Sequence, residues 1–388
     1  MAAYHLLSMR TPTLGPHVLP NLLHIMWEDT WEAMPFLRLF LTPGLVSAHI
    51  EFPDCLPHPY HLAVVSLIPT RHLAHLRLDL IPSGNENSFL EALRNLLDEA
   101  SETLRSVRLD GEISTTIFDK LLRLHNLRYL SVKLPQAPIS PLEVAFPYLE
   151  KLVVWSREVS PWLHILEKIP NPALQRFKIT FSEDSPPTDF QALCHSLICA
   201  NKEQTLTSIK CSWERAITIT EVELRPLLPF ARLTKLVLLS RCYGECTVQL
   251  EDPFICTLAI ALPRLETLII GDALCDAVTQ VTVESLVELS ANCVNLDFLQ
   301  LHVDATNIPS RGTRVNSQIR KSSCKLRTLS VGSRPLPPHH DDILLVTFVI
   351  IHLFPHVENV FGAGEGWEKV NRGLELFREA STIIPPFP

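Results

Sequence analysis

Glycine is scarce in this chain of 388 residues, which has 12, and the few present form none of the loops that cradle phosphates. No GxGxxG, P-loop, GxSxG or HExxH pattern occurs, so the common nucleotide-binding, α/β-hydrolase and zinc-protease signatures are missing. The ten cysteines are scattered, all at residue 55 or beyond, and make no dense disulfide framework. No Asn-x-Ser/Thr acceptor and no apolar leader are legible, which fits free thiols in a reducing compartment, cytoplasm or nucleus. Long apolar runs are lacking too. The longest, Ile343 to Phe354, has 12 residues including His352, too short to span a bilayer. Charge of one sign is also modest: a formal net charge of -8 gives no overall case for nucleic acid or membrane binding.

What is present is apolar content, 46% of residues, with 31 prolines, and above all a repeated phrase. It is clearest between Thr103 and Trp155, where apolar residues stand at positions 1, 4 and 6 of each copy: Leu104, Val107, Leu109; Leu127, Leu130, Val132; Leu149, Leu152, Val154. Residues two apart share one face of a strand, so positions 4 and 6 predict a half-buried strand entered from the turn that holds position 1. Followed in both directions, the phrase begins at 22, 45, 73, 104, 127, 149, 174, 206, 233, 265, 296, 326 and 357, with intervals of 22 to 32 residues. Such a period implies one strand and one return per unit, each burying its leucines against its neighbours.

The returns predict helices over 89–100, 190–199, 252–261, 283–293 and 341–354, where apolar residues recur at helical spacing. The proline-spaced link 134–146 predicts an irregular or 3₁₀ return. Prolines at Phe146-Pro147, Leu262-Pro263 and Phe354-Pro355 stop one element before the next strand. The expected fold is therefore an α/β leucine-rich-repeat solenoid, or horseshoe, with an inner parallel sheet and outer helices or irregular returns. Residues 1–20 are expected to form an N-terminal cap or remnant. Residues 21–362 form a solenoid of about 12–13 degenerate repeats, and 363–388 a C-terminal cap helix and tail.

Chemistry-bearing clusters are sparse. Cys242 with Cys246, and Cys194 with Cys199 beside His195, each lack the second tight pair that structural zinc needs. Cys199, Cys211, Cys256 and Cys293 fit buried small-residue positions. His339-His340-Asp341-Asp342 precedes the apolar run, where an aspartate capping the helix accounts for the acids. Gly362 to Gly366 marks the end of the array. The polar segments 182–189 and 305–323, the second carrying Arg311, Arg314, Arg320 and Lys321, read either as solvated loops or as partner contacts. No catalytic residue, metal or cofactor is assigned.

The informative residues stand between the apolar ones. From residue 74 to 239, the second, third, fifth and seventh phrase positions hold Arg77, Arg105, Arg108, Arg128, Lys133, Lys151, Arg176, Lys178, Lys210 and Lys235, against Asp79, Asp110 and Glu150. Tyr129 and Trp155 lie among them as candidate anchors. The pattern reads either as ordinary solvated charge or as a groove that attracts an acidic or phosphorylated protein segment. Nucleic acid fits less well because the band has few aromatics.

The residues 19–27 (LPNLLHIMW) and 35–50, the repeated PxLExL at 147–152 and 263–268, and the close at 341–362 followed by WEKV (367–370) carry a family likeness. The chain resembles leucine-rich-repeat proteins and, more narrowly, the fungal, mushroom-type F-box/leucine-rich-repeat proteins. That resemblance implies an N-terminal F-box docking on a Skp1-type adaptor of a cullin-RING ubiquitin ligase, with the repeats selecting the substrate. Here the first repeat starts near residue 21, and no F-box is legible in front of it. The expectation is a non-catalytic, substrate-recognising solenoid, its adaptor link requiring sequence upstream of residue 1. The alternative is a stand-alone scaffold or regulator of the same fold.

Overall fold

The computed structural model describes residues 18–383 except 29–31, 53–57, 80–86, 134–145, 158–162, 164, 167–172, 182–188, 202–204, 215, 241–246, 273–279, 306–322, 333–335 and 337–339. The chain divides into two compact units, Met1–Arg176 with Cys199–Lys202, and Phe177–Ile198 with Glu203–Pro388.

In the first unit the strands are β1 (His24–Glu28), β2 (Ser47–Glu51), β3 (His75–Asp79), β4 (Ser106–Glu112), β5 (Tyr129–Lys133) and β6 (Lys151–Ser156). Each pairs in parallel with the next in chain order. Between them run a 3₁₀ turn (Met34–Leu39) and the helices α1 (His58–Leu67), α2 (Asn87–Glu99) and α3 (Thr115–Leu121). Strand β7 (Arg176–Phe181) begins at the division between the units.

The second unit continues with α4 (Asp189–Ala200), β8 (Ser208–Trp213), β9 (Thr218–Thr220), α5 (Glu221–Leu224), β10 (Lys235–Ser240), β11 (Thr247–Gln249) and α6 (Asp252–Ala261). It ends with β12 (Thr267–Ile270), α7 (Val283–Asn292), β13 (Phe298–Gln300), β14 (Thr328–Ser330), α8 (His340–Leu353), β15 (Asn359–Phe361) and α9 (Glu365–Ile383). Strands β8, β10, β12, β13, β14 and β15 again pair in parallel in that order, while β9 and β11 form a separate two-stranded ladder. One strand and one return per repeat, paired in parallel within each unit, is the leucine-rich-repeat solenoid fold.

The phrase accounts for this register atom by atom. Position 1 closes a turn: Leu127 N–H donates to the Leu124 carbonyl, Leu149 to Phe146, Leu265 to Leu262 and Val357 to Phe354. Position 2 then offers its carbonyl to two N–H groups of the following repeat. The Arg105 carbonyl accepts from Arg128 and Tyr129, the Arg128 carbonyl from Glu150 and Lys151, and the Asp297 carbonyl from Arg327 and Thr328. Positions 1, 4 and 6 form the core: Leu104, Val107, Leu109, Leu127, Leu130 and Val132 have no exposed surface. Each such side chain contributes about 1.5–3 kcal/mol relative to exposure. Side chains near the turns extend the ladder: Asn126 Nδ2 donates to the Glu102 carbonyl at 2.8 Å, Asn201 Nδ2 to Leu174 at 2.8 Å, and the Cys324 thiol to Cys293 at 3.5 Å.

All five expected helices are present within two residues of their expected ends. Their caps reach between repeats. Asp252, in the first turn of α6, accepts from the Thr282 backbone at 2.7 Å, from the Thr282 hydroxyl at 2.6 Å and from the Ser285 hydroxyl, thereby holding the start of α7. At the last strand, Asn371 of α9 imitates a further strand: its Oδ1 accepts from Val360 N–H at 2.9 Å and its Nδ2 donates to the Val360 carbonyl at 2.6 Å. Arg378 donates to the Glu358 carbonyl at 2.8 Å and also to that of Val357. A helix thus covers backbone groups that an edge strand leaves open.

Two cysteine expectations need correction. Cys211 and Cys293 are buried, but Cys199 is exposed and Cys256 half-exposed, because both fall on helix positions turned from the sheet. Burial pushes the Cys293 thiol up to about 12 and the Cys211 thiol upward as well, so neither is a reactive thiolate. The Cys242–Cys246 pair, His339, most of the two polar segments and the link 134–145 lie outside the described residues.

Candidate functional site: the open sheet faces

Positions 3, 5 and 7 point to the face opposite the leucines, and parallel pairing aligns them in rows about 4.8 Å apart. In the first unit the position-3 row reads His24, Ser47, His75, Ser106, Tyr129, Lys151, and the position-5 row Met26, His49, Arg77, Arg108, Ser131, Val153. Position 7 aligns Glu28, Glu51, Asp79 and Asp110; a register shift after Leu109 then sets Glu112 opposite Lys133, and Lys133 opposite Trp155.

Asp79 organises this face. It is 5% exposed, with Arg77 Nη2 at 2.5 Å, His49 Nε2 at 3.0 Å and Arg108 Nε at 3.6 Å. Burial alone raises the pKa of its carboxyl, but hydrogen bonds from Arg77 and His49 and the charges of Arg77 and Arg108 outweigh it, so the net shift is downward from 3.8. Arg77 is shifted upward by the same hydrogen bond. The other contact of Arg108, to Asp110, is 3.5 Å. Farther along, Arg128 meets Glu150 at 3.0 Å, Lys133 meets Glu112 at 3.5 Å, and Lys151 Nζ lies 4.5 Å from the centre of the Tyr129 ring. Beside them, burial and the charges of His24 and Arg105 lower the pKa of His75.

The basic residues picked out by the phrase therefore separate into two groups. Arg77, Arg108, Arg128 and Lys133 are held by carboxylates, and Lys151 by an aromatic ring. Arg105 and Arg176 are exposed and make no ion pair with a described residue. Trp155 is half-buried on β6. Counting along the phrase from residue 74 missed Glu28 and Glu51 on the first two strands, and Glu112, which reaches the face only through the register shift. The face is a lattice of alternating ions with exposed arginines at strand entries.

The second unit presents Lys178 and Lys210, both half-buried, and Lys235, exposed. Beyond them its rows are uncharged. Position 3 runs Ser208, Lys235, Thr267, Phe298, Thr328, Asn359, and position 5 runs Lys210, Val237, Ile269, Gln300, Ser330, Phe361. At position 7 the buried His302 stands between Gly271 and Gly332, its Nε2 2.9 Å from the Asp272 carbonyl oxygen. Both glycines have positive φ, 84° and 83°, and a Cβ on Gly332 would fall on the His302 ring. The absence of side chains at Gly332 and Gly362 opens a groove of about 640 Å³ between β13–β15 and the start of α9. Sequence reasoning missed this groove; the Gly-His-Gly alternation at phrase position 7 was its signal.

Among the described residues no group of three or more His, Cys, Asp or Glu side chains is placed to hold a metal, and no helix is long and apolar enough to cross a membrane.

No family model matches the chain, and no curated protein matches it. Among solved structures, the crystal structure of the Rad7 and Elc1 complex in yeast is similar at 15% identity, over 83% of this chain and 82% of that one, with a TM-score of 0.47. A likeness that loose carries no argument about function.

Proposed function

We propose that the chain is a non-catalytic protein-binding solenoid of the cytoplasm or nucleus, which selects an acidic or phosphorylated segment of a partner through the open face of its first unit. The observation that carries this reading is the contrast on that face between neutralised and exposed cations. Arg77, Arg108 and Lys133 are spent on Asp79, Asp110 and Glu112, which fixes their positions, while Arg105 and Arg176 stand exposed and outside those pairs. An arriving carboxylate or phosphate gains charge-assisted hydrogen bonds there without breaking existing ones. Tyr129 and Trp155, both half-exposed, supply apolar contact area beside them.

The finer reading, drawn from the resemblance, is substrate recognition for a cullin-RING ubiquitin ligase. Capture of partners from native extract, read by mass spectrometry, tests the surface. The Arg105→Glu/Arg176→Glu chain loses the captured partner at unchanged circular dichroism, and treatment of the extract with phosphatase tells a phosphorylated segment from an acidic one. Undiminished capture overturns the surface. Recovery of a Skp1-type adaptor with the full-length product supports the ligase reading; a partner captured reproducibly without it makes the protein a stand-alone scaffold.

A further inference from the structure

The strands of the first unit begin among cations and end among anions. The turns that lead into β3, β4 and β5 carry Arg71, Arg105 and Arg123, all exposed. At the opposite ends of the strands, the register sets Glu28 beside Glu51, Glu51 beside Asp79 and Asp79 beside Asp110. Arg77 and Arg108 answer this row only through Asp79 and Asp110. Glu28, exposed, and Glu51, half-buried, make no ion pair with a described residue. In the middle of the row Asp79 Oδ1 has no hydrogen-bond donor, since Arg108 Nε stays 3.6 Å away. The segments that follow β1, β2 and β3 in the sequence add no cation: 29–33, 52–57 and 80–86 hold Asp29, Glu32, Asp54 and Glu86 but no Lys or Arg.

A wholly acidic segment drawn to the strand entries would meet like charge at the strand exits, which is costly. We propose that the partner segment carries both signs, with its acidic or phosphorylated residues over the strand entries and lysines or arginines over Glu28 and Glu51. At about 3.3 Å per residue along a strand and about 4.8 Å between strands, Arg105 lies about 19 Å from Glu51. An extended chain covers that distance in about six residues. The two ends of the face thus fix the direction in which the segment crosses the sheet, because the reversed segment meets like charge at both. The proposal rests on the protein-binding reading of this face and deepens it by adding a second charge requirement of opposite sign.

The test is fluorescence anisotropy of labelled peptides with the full chain at about 50 mM salt, where screening is weak. The probes are the block peptide Asp-Asp-Asp-Gly-Ser-Gly-Lys-Lys-Lys, its alternating isomer Asp-Lys-Gly-Asp-Lys-Ser-Asp-Lys-Gly, and an acidic peptide with serine in place of each lysine. The block peptide binds about fivefold more tightly than either of the others, as two or three exposed charge pairs imply. Glu28→Gln/Glu51→Gln erases its advantage over the acidic peptide, with circular dichroism unchanged. Arg105→Glu/Arg176→Glu weakens the block and acidic peptides alike. A block peptide that binds no better than the acidic or the alternating one overturns the proposal, as does an advantage that survives Glu28→Gln/Glu51→Gln. If the acidic peptide still binds and still depends on Arg105 and Arg176, the basic face stands while the mixed-charge guest falls. No binding of any peptide overturns both. Self-association of the chain in sedimentation, abolished by Glu28→Gln/Glu51→Gln, makes a second copy the occupant and also overturns the proposal.

Discussion

Strand β3 of the first unit presents His75, Arg77 and Asp79 at the phrase positions where β14 of the second presents Thr328 and Ser330, followed just past the strand by Gly332. Beneath them the same phrase positions are filled in the same way, by Leu76 and Leu78 in one and Leu329 and Val331 in the other, all buried. One skeleton thus carries a face organised by ion pairs and a face organised by close packing against glycine. The difference teaches that the positions specifying the fold and the positions specifying recognition are separable, because alternate side chains of a strand never share an environment.

That separation is open to attack by substitution, and the largest effect belongs to the glycine-packed face. Gly332→Ala places a methyl group on the His302 ring and also forces a non-glycine residue to φ +83°, costing about 3 kcal/mol. Urea denaturation measures it, and the loss is independent of salt. Adding His302→Ala removes the clash but not the backbone strain, so the double variant does not return to the native midpoint.

Next comes Asp79→Ala in the first unit. It strips Arg77, Arg108 and His49 of their common carboxylate and costs about 2 kcal/mol, moderated because the two arginines are 39% and 31% exposed. This loss is pH-dependent. The folded pKa of Asp79 lies below its unfolded value of 3.8, so its contribution is complete above that value and is lost as pH falls through the folded pKa. His75, also shifted down, from 6.5, stabilises the fold above pH 6.5, and that contribution fades as pH falls toward its folded value. Acid titration of the wild-type midpoint accordingly shows two declines, and Asp79→Ala abolishes the lower one.

A smaller change is expected at the edge of the sheet. Asn371→Ala removes two hydrogen bonds from Val360 and costs about 1–2 kcal/mol. It also leaves an edge backbone uncovered, and light scattering at rising concentration checks for the association this permits. Smallest of all is Arg327→Ala: its pair with Asp297 is more than half exposed on both sides, and the change in midpoint corresponds to less than about 0.5 kcal/mol. A large loss there would erase the distinction between a face held by ions and one held by packing.

Much of this architecture was legible from residue types alone. All thirteen apolar phrases coincide with strands of the parallel sheets, because position 1 closes a turn and position 2 bonds to the next repeat whatever side chain it carries. Helices with two distinct faces, such as α2, were legible too. Helix α1 was not, since HPYHLAVVSL is apolar on nearly every side and leaves no period to read; α3 is seven residues long, and β9 only three. The candidate face was half legible. The phrase located Arg77, Arg108 and Lys133, but the pairs Arg108–Asp79 and Lys133–Glu112 depend on register between strands, and the shift that brings in Glu112 has no phrase position. The second unit's groove was hidden for a related reason: Gly332 and Gly362 define it by side chains they lack, and Glu368 comes from a helix beyond the last repeat.

The claim at the centre of this account is that the first unit recognises its partner through charges that remain available after the lattice around Asp79 is satisfied. Its most direct test is the affinity of the captured partner for the full chain at about 50 mM and about 500 mM salt, where screening lengths differ about threefold, measured beside Arg105→Glu/Arg176→Glu. The account predicts a steep loss of affinity with salt in the wild type and a weak, nearly salt-independent residue in the variant. Affinity that is equal at both salt concentrations and unchanged by the two substitutions would contradict it.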